Sequence, residues 1–343
     1  MLFNSTEYLF LFLPVVLVVF LLLSRGNSTE GQISWLILAS LYFYGSWNPV
    51  YLLLILSSIV VNFLVGRKLA ATQPSGRHKW LLFGMFFNLG LLGYFKYAGF
   101  FVDSLNTFGN WLIPVPEITL PLAISFFTFQ QIAYLVDVSR NKCQEYLFRH
   151  YALFVLFFPQ LIAGPIVHHK EIMPQFTFLR PSKELRTDLS VGLTIIVIGL
   201  FKKVVMADSL AEISNPIYDA AAQGQAINTL DAWIATLGFS FQIYFDFSGY
   251  SDIAIGSARL FGIKLPENFR SPYKARSAID IWNRWHITLS RFLKDYLYIA
   301  LGGNRHGTVR RYRNLFMTML LGGLWHGAAW TYVIWGGLHG LFL

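Results

Sequence analysis

Several features that mark common enzyme classes are missing from this chain of 343 residues. Its single cysteine, Cys143, excludes an internal disulfide and leaves the redox compartment open. There is no phosphate-binding glycine loop, no nucleophile elbow and no zinc-ligand spacing. Internal repeats, low-complexity tracts and a recognisable soluble domain are also lacking. The usual sequence signatures of nucleotide-binding, serine-hydrolase and zinc enzymes are therefore excluded.

Charge is scarce as well. Charged residues make up 13% of the chain, whereas hydrophobic residues make up 55%, a balance typical of a multi-spanning membrane protein. The net charge of +9 does not require a nucleic-acid partner, because the basic residues of membrane proteins concentrate in cytoplasmic loops. We therefore expect contact with the lipid bilayer and no nucleic acid.

The apolar runs predict helices separated by loops whose charge indicates their side of the membrane. Loops rich in Lys and Arg indicate the cytoplasm, and acidic loops without them indicate the outside. The segment Asp208–Asp231 has no Lys or Arg and predicts an outer loop. The predicted spanning helices are Tyr8–Leu23, Ile33–Trp47, Val50–Val65, Trp80–Phe101, Leu120–Val138, Leu189–Met206, Ala232–Tyr250 and Leu315–Trp335.

Two segments interrupt this alternation. Tyr151–Val167 is apolar, yet four basic residues follow it between positions 170 and 186. Asp280–Ile299 has basic clusters on both sides. If either spanned, basic residues would lie outside, so we predict that neither does. The first would turn at Phe158-Pro159 or Gly164-Pro165, with its irregular backbone buried in protein. The second would be a single helix in a recess that faces the cytoplasm.

The stretch Asp280–Trp330 holds two histidines, in Trp285-His286-Ile287-Thr288 and in Leu324-Trp325-His326-Gly327. A helix over Asp280–Ile299 would place four side chains on one face. Asp280–Arg284 and Arg291–Asp295 are spaced to pair one helical turn apart. The residues of the shared face are Trp282, His286, Leu289 and Leu293.

His326 falls inside an apolar segment, where an ionisable side chain is a functional candidate by default. Its neutral imidazole can take a proton from a hydroxyl, which is the task of a general base in acyl transfer. The alternative is a hydrogen bond that holds two helices together. Position alone leaves these two interpretations evenly balanced.

Longer motifs favour the first interpretation. The run DIWNRWHITLSRFLKDYLYIALGGNR, residues 280–305, resembles the signature of the membrane-bound O-acyltransferase (MBOAT) family, and LWHGAAW, residues 324–330, resembles its second signature. FPQLIAGPI (158–166), FDFSGYSD (245–252) and NFRSPY (268–273) add to the likeness. The similarity covers nearly the whole chain and is strongest to the bacterial alginate O-acetyltransferase branch.

This resemblance implies that His326 is the catalytic base and that His286 binds or polarises the acyl donor. A hydrogen-bonded helix anchor is the alternative for His286. The implied donor is acetyl-coenzyme A or a similar thioester, with no tightly bound cofactor and no metal. The family generally continues with more helices, whereas the last apolar run, Tyr332–Leu343, has about a dozen residues and spanning needs about 20. We therefore expect that the chain is either a truncated product or a partial sequence.

Other polar and aromatic residues are weaker candidates. The arginines among them suit the phosphates of a coenzyme A-like donor, although solvated charge is the alternative for each. Asp246 could orient a histidine, fix a substrate, or pair with a loop arginine such as Arg259. The candidates for donor or substrate binding are Trp282, Arg284, Arg291, Asn304, Arg305, Trp325 and Asp246.

The remaining histidines are expected to be structural. His168 and His169 are adjacent, but no matching Cys, Asp or second His pair completes a metal site, so we interpret them as surface residues. His339 is expected to pack near the chain end.

The sequence thus predicts an all-α, multi-spanning transmembrane bundle with re-entrant or half-buried helices around a central catalytic recess. Residues 1–343 would form a single domain in the bacterial inner membrane. By resemblance it would transfer an acetyl group from a cytosolic thioester to an extracytoplasmic polysaccharide beside a periplasmic partner protein. Peptidoglycan or teichoic-acid acylation, or a proton-coupled transporter using His326, are the alternatives.

Overall fold

A computed structural model of the chain describes residues 1–26, 28–141, 147–162, 164–177, 179 and 185–343. Cys143 and the basic residues Arg180 and Lys183 lie outside this part. The described residues form two compact units, each built from separate stretches of the chain. The single domain expected from the sequence stays a prediction.

The first unit contains Met1–Phe43, Phe157–Pro165 and Pro174–Asn268. Two of its helices begin or continue as wider π-helical turns, Tyr8–Phe12 and Phe201–Ala207. The helices Thr29–Gly45 and His169–Phe176 carry residues of both units. The α-helices that lie wholly in the first unit are Leu13–Arg25, Phe158–Leu161, Leu185–Leu200, Asp208–Ala222 and Thr229–Leu260.

The second unit contains Tyr44–Leu156, Ile166–Met173 and Phe269–Leu343. Its π-helical turns are Gly93–Tyr97 and Leu293–Tyr298, and Pro272–Lys274 forms one 3₁₀ turn. Its α-helices are Tyr51–Ala71, Arg77–Leu92, Ala98–Gly109, Ile124–Ser139, Phe148–Leu156, Ala278–Trp282, Ile287–Phe292, Thr308–His326 and Trp330–Phe342.

Among the described residues, four continuous helical stretches are long and apolar enough to cross a membrane: Tyr8–Arg25, Tyr51–Ala71, Arg77–Gly109 and Leu185–Ala222. No strand forms in the described residues. The all-α membrane bundle predicted from the sequence is confirmed.

The prediction of an outer loop over Asp208–Asp231 is wrong. Asp208–Ala222 is helical and follows Leu185–Ala207 without a break. The segment contains Leu, Glu and several Ala, which are good helix formers. The absence of basic residues therefore carries no information on backbone conformation, and the side of the membrane stays a prediction.

Tyr151–Val167 breaks into two helices at the predicted Phe158-Pro159 position. The first helix ends at Leu156, and the second begins at Phe158, with Phe157 in a non-helical conformation. Proline is tolerated here because it occupies the first turn of the new helix. The break agrees with the predicted turn, and a re-entrant path through the bilayer stays a prediction.

Glycine contacts bring two long helices of the first unit together. A Cβ atom on Gly256 would lie 2.6 Å from the carbonyl oxygen of Gly192, and one on Gly249 would lie 2.7 Å from that of Gly199. Small residues at such positions allow helix backbones in membranes to approach closely. The close packing of Leu185–Leu200 against Thr229–Leu260 therefore depends on glycine, which has no side chain, at these positions.

We expect Gly256→Ala to destabilise the protein by about 1–3 kcal/mol, because the new methyl group must push the helices apart. The matched control is Gly90→Ala, where an added Cβ meets nothing within 4 Å, so its thermal unfolding temperature should stay equal or rise slightly. Unfolding curves of both variants in detergent check this. Equal unfolding temperatures for the two variants would contradict the tight glycine contact.

Candidate active site

His326 is the last residue of the helix Thr308–His326. The next residue, Gly327, is extended, with φ −162° and ψ 150°, and a new helix begins at Trp330. The apolar segment Leu315–Trp335 is therefore not one continuous helix. The helix ends in mid-segment, which places the imidazole at a helix terminus instead of along a helix face.

Two side chains from one π-helical turn satisfy the carbonyl groups at this helix end. The Lys96 amine donates to the carbonyl oxygen of Trp325 and, at 3.1 Å, to Ser125 Oγ. The Tyr97 hydroxyl donates to the carbonyl oxygen of Leu324 at 2.9 Å. The last carbonyls of a helix have no partner within it, and a cation is favourable beside their partial negative charge. Lys96 and Tyr97 thus cap the helix that ends at His326.

Glycines make the turn after His326 possible. A Cβ atom on Gly327 would overlap the Tyr332 ring, and one on Gly323 would lie 2.8 Å from the Cα atom of Gly336. The helices on either side of the turn therefore pack backbone to backbone.

Aromatic rings surround the half-buried His326 imidazole. The Trp325 and Trp335 rings each lie 5.0 Å from it, both steeply tilted against its plane. His339 lies 4.4 Å from the Trp335 ring, and Trp282 lies 5.9 Å from the same ring. His339 thus has the packing position expected from the sequence.

His286 lies in a break, not within a helix. The single helix predicted over Asp280–Ile299 is wrong: Ala278–Trp282 is followed by a turn, and His286 has a φ of +45° before Ile287–Phe292 begins. Other groups take the carbonyls of the break, since Arg284 accepts from the Arg270 amide at 2.8 Å and Trp282 accepts from Ser290 Oγ at 2.8 Å. These tertiary bonds favour the turn over a continuous helix.

The His286 side chain is only 1% exposed. Burial, with a smaller contribution from the neighbouring His326, lowers the pKa of His286 to about 3. The imidazole is therefore neutral at physiological pH. Its ring lies 6.3 Å from that of Trp325, so Trp325 contacts both histidines.

The Trp325 side chain also belongs to a buried hydrophobic cluster. Its ring stacks on Phe129 at 5.5 Å, and Phe129 stacks on Phe292 at 4.7 Å. Leu289 and Leu293 of the predicted shared face are buried in the same cluster. The indole nitrogens of Trp325 and Trp282 are buried without a hydrogen-bond partner among the residues that the structure describes. A buried donor without a partner destabilises the folded protein by about 1–3 kcal/mol. Such a donor is typical of a position where a ligand accepts the hydrogen bond.

The other candidates are more dispersed. The predicted pair Arg284–Asp280 forms at 2.9 Å, but Arg291 pairs with Glu171, at 2.8 Å, instead of with Asp295. Glu171 and Arg291 belong to segments of the second unit that are 120 residues apart in sequence. Asn304 and Arg305 are exposed in the loop before Thr308.

Asp246 belongs to the first unit and does not pair with Arg259. It lies 2.7 Å from the Lys203 amine, which also contacts Asp208 at 2.6 Å. Arg259 pairs with Asp188 at 2.7 Å. The expected ion pair is thus formed with a lysine of a neighbouring helix, which apolar patterning did not indicate.

His168 and His169 are not surface residues. They are 5% and 3% exposed, respectively, because the segment after Pro165 turns inward, where the Ile166 amide donates to Thr288 Oγ1 at 3.0 Å. The described residues contain no group of His, Cys, Asp or Glu able to hold a metal ion.

Sequence reasoning missed Lys96 and Tyr97. The available signal was a lysine inside the apolar segment Trp80–Phe101, since an ionisable residue in a membrane helix is a functional candidate. That segment had been assigned only as a spanning helix.

Comparisons with known proteins identify the family of the chain. The profile described as MBOAT, membrane-bound O-acyltransferase family, matches residues 140–343. The chain belongs to this family. The match includes both histidines and their flanking motifs, so the resemblance inferred from those motifs is confirmed.

Curated relatives extend the likeness to the whole chain. The peptidoglycan O-acetyltransferase of Helicobacter pylori is 47% identical over all of this chain and 70% of its own length. The probable alginate O-acetylase AlgI of Pseudomonas aeruginosa is 43% identical over all of this chain and 65% of its own length. The teichoic acid D-alanyltransferase of Streptococcus thermophilus is 31% identical over 65% of this chain and 55% of its own length. The chain thus spans about two thirds of the first two relatives.

The family and these relatives confirm the predicted activity class, O-acyl transfer, and the predicted membrane setting. The roles of individual residues in this family member stay predictions.

We expect Lys96→Met to loosen the end of the helix Thr308–His326, because the Trp325 carbonyl loses its charged hydrogen-bond donor. Amide hydrogen exchange of peptides covering Leu324–Trp330 should become faster. Ser125→Ala is the matched control: it removes the other partner of the amine but leaves the cap, so exchange there should stay unchanged. Unaltered exchange in Lys96→Met would contradict the capping role.

Proposed function

We propose that this protein transfers an acetyl group from a cytosolic thioester, such as acetyl-coenzyme A, to a hydroxyl group of an extracytoplasmic polysaccharide. The observation that carries the proposal is the position of His326, whose half-buried imidazole lies at a capped helix end. A general base must reach the proton that it removes, and His326 is partly exposed, so a substrate hydroxyl can approach its ring.

The two histidines are suited to different tasks. His326 is partly accessible and takes the hydroxyl proton in our proposal. His286 is fully buried and neutral, so it supports the donor through hydrogen bonding and not through charge. Neutral imidazole can act in either way depending on which ring nitrogen carries the proton.

The proposed reaction moves the acetyl group from the sulfur of the thioester to the acceptor oxygen. The acceptor oxygen attacks the thioester carbonyl carbon while its proton moves to His326. A negative charge develops on the carbonyl oxygen, and the unpartnered N–H group of Trp325 is the proposed donor to it. The C–O bond forms, the C–S bond breaks, and the thiolate leaves with the proton that His326 returns.

A groove of about 450 Å³ beside Trp282 offers a place for the donor. Its wall combines apolar side chains with the cations Lys294 and Arg311. An apolar groove edged by cations suits a thioester chain followed by phosphates. We therefore favour this groove over the exposed Asn304 and Arg305 for donor binding.

The acceptor class rests on the relatives. The relatives are named for transfer to peptidoglycan, alginate and teichoic acid. We propose a polysaccharide of that class, alginate-like or peptidoglycan, a location in the bacterial inner membrane, and a periplasmic partner protein that completes delivery. A proton-coupled transporter remains the rival from another class, and thioester turnover separates the two.

We expect His326→Ala to lower acceptor-dependent release of coenzyme A from acetyl-coenzyme A by about 100- to 10,000-fold, the usual contribution of a general base. The purified protein in lipid nanodiscs is the sample, and its unfolding temperature shows that the variant is folded. His78→Ala, which removes an exposed histidine, is the control and should turn over normally.

Turnover of a folded His326→Ala variant at the parent rate would remove His326 from the mechanism. Accumulation of substrate in vesicles without thioester consumption would favour the transporter.

A further inference from the structure

A second histidine centre lies in the second unit, on residues that the acyl-transfer step does not use. The Tyr296 hydroxyl donates to Asp137 Oδ2 at 2.8 Å. The same hydroxyl oxygen lies 3.0 Å from His168 Nδ1, and the His168 and Tyr296 rings stack at 5.4 Å. His168, Tyr296 and Asp137 thus form one hydrogen-bonded chain.

The direction of these bonds assigns the protons on His168. Tyr296 has one hydroxyl proton, and the Asp137 carboxylate takes it because a carboxylate can only accept. His168 Nδ1 must therefore be the donor to the Tyr296 oxygen. Burial and, secondarily, the nearby Arg291 lower the pKa of His168, which favours the neutral ring. Neutral imidazole with a proton on Nδ1 leaves Nε2 as an acceptor.

This Nε2 acceptor is buried without a hydrogen-bond partner in the part of the chain that the structure describes. His168 is only 5% exposed, so bulk water does not supply the missing hydrogen bond to Nε2. A buried polar atom in this state requires a donor from a water molecule or a ligand.

A small polar cavity of about 170 Å³ lies beside the chain. His168, Tyr296 and Asp137 form part of its wall, and the remaining lining residues are Arg140, Lys170, Asp295 and Ile299. Asp137 is already engaged, because it accepts from Tyr296 and lies 3.6 Å from His169 Nδ1. Arg140 and Lys170 are exposed and supply N–H donors at the cavity.

We propose that this cavity binds a protonated oxyanion of the phosphate class. Its O–H group donates to His168 Nε2, and its charged oxygens accept from Arg140 and Lys170. Phosphate and phosphate monoesters carry such a proton near neutral pH, whereas sulfate does not. The carboxylate of Asp295 adds to this preference, since it also favours an O–H group over a bare oxygen. The site is independent of the proposed acyl transfer.

Binding of inorganic phosphate and of sulfate to the purified protein, measured by calorimetry at pH 7, tests the proposal. Phosphate should bind at least about tenfold more tightly, a difference of about 1.4 kcal/mol. His168→Phe keeps the ring stack on Tyr296 but removes the acceptor, and Lys170→Met removes a donor, so both should weaken phosphate binding. Lys79→Met, which removes an exposed lysine outside the cavity, should bind phosphate normally.

Tyr296→Phe gives a sharper result. Without the Tyr296 oxygen, His168 Nδ1 loses its acceptor and the ring can carry its proton on Nε2. The preference for phosphate over sulfate should then shrink, even if total anion affinity is retained. A purely structural role for Tyr296 would not alter that ratio.

Nanodiscs distinguish a free phosphate from a lipid headgroup. Phosphatidic acid, a monoester with a proton, should raise the unfolding temperature and compete with inorganic phosphate if a lipid is the source. Phosphatidylglycerol, a diester without that proton, should do neither. Equal affinity for sulfate and phosphate, or no binding of phosphate and phosphatidic acid, would overturn the proposal. Acetyl transfer is not the readout, so failure here leaves the proposed function standing.

Discussion

The candidate site depends on the hydrogen bonds that the backbone carbonyl groups of Leu324 and Trp325 accept. Polar backbone inside an apolar membrane protein must find an internal partner, and here Tyr97 and Lys96 provide it from a segment more than 200 residues away. This cap allows the helix to stop at His326, and the absence of a Cβ atom at Gly327 allows the chain to turn beside Tyr332. A helix that continued through His326 would place the imidazole along its side instead of at its end.

The two histidine positions share this logic although their local structures differ. His286 lies in a left-handed turn, and its neighbours Trp282 and Arg284 use their carbonyls in tertiary hydrogen bonds. Trp325 contacts both imidazole rings and also belongs to the buried cluster of Phe292 and Leu289. The π-helical turns beside both segments fit this arrangement, since such turns are often found at functional sites. Histidines that are far apart in sequence are thereby held around one indole.

Long apolar helices and the two signature motifs could be predicted from the sequence, because hydropathy and residue identity are local properties. The ends of helices could not. The breaks at His286 and after His326 depend on Arg270, Ser290, Lys96 and Tyr97, whose proximity appears only in the folded chain. The same limit explains the errors at Asp246 and Arg291, where the ion-pair partner came from a segment distant in sequence. His168 was assigned to the surface because its Tyr296–Asp137 partners are likewise remote.

Chemical rescue of His326→Gly by imidazole tests the central claim most directly, because it asks whether an imidazole at this helix end supplies the base. We predict that the folded variant releases little coenzyme A from acetyl-coenzyme A and that added imidazole restores turnover in proportion to its concentration, whereas His78→Gly does not respond. A His326→Gly variant that turns over at the parent rate without imidazole would contradict the account.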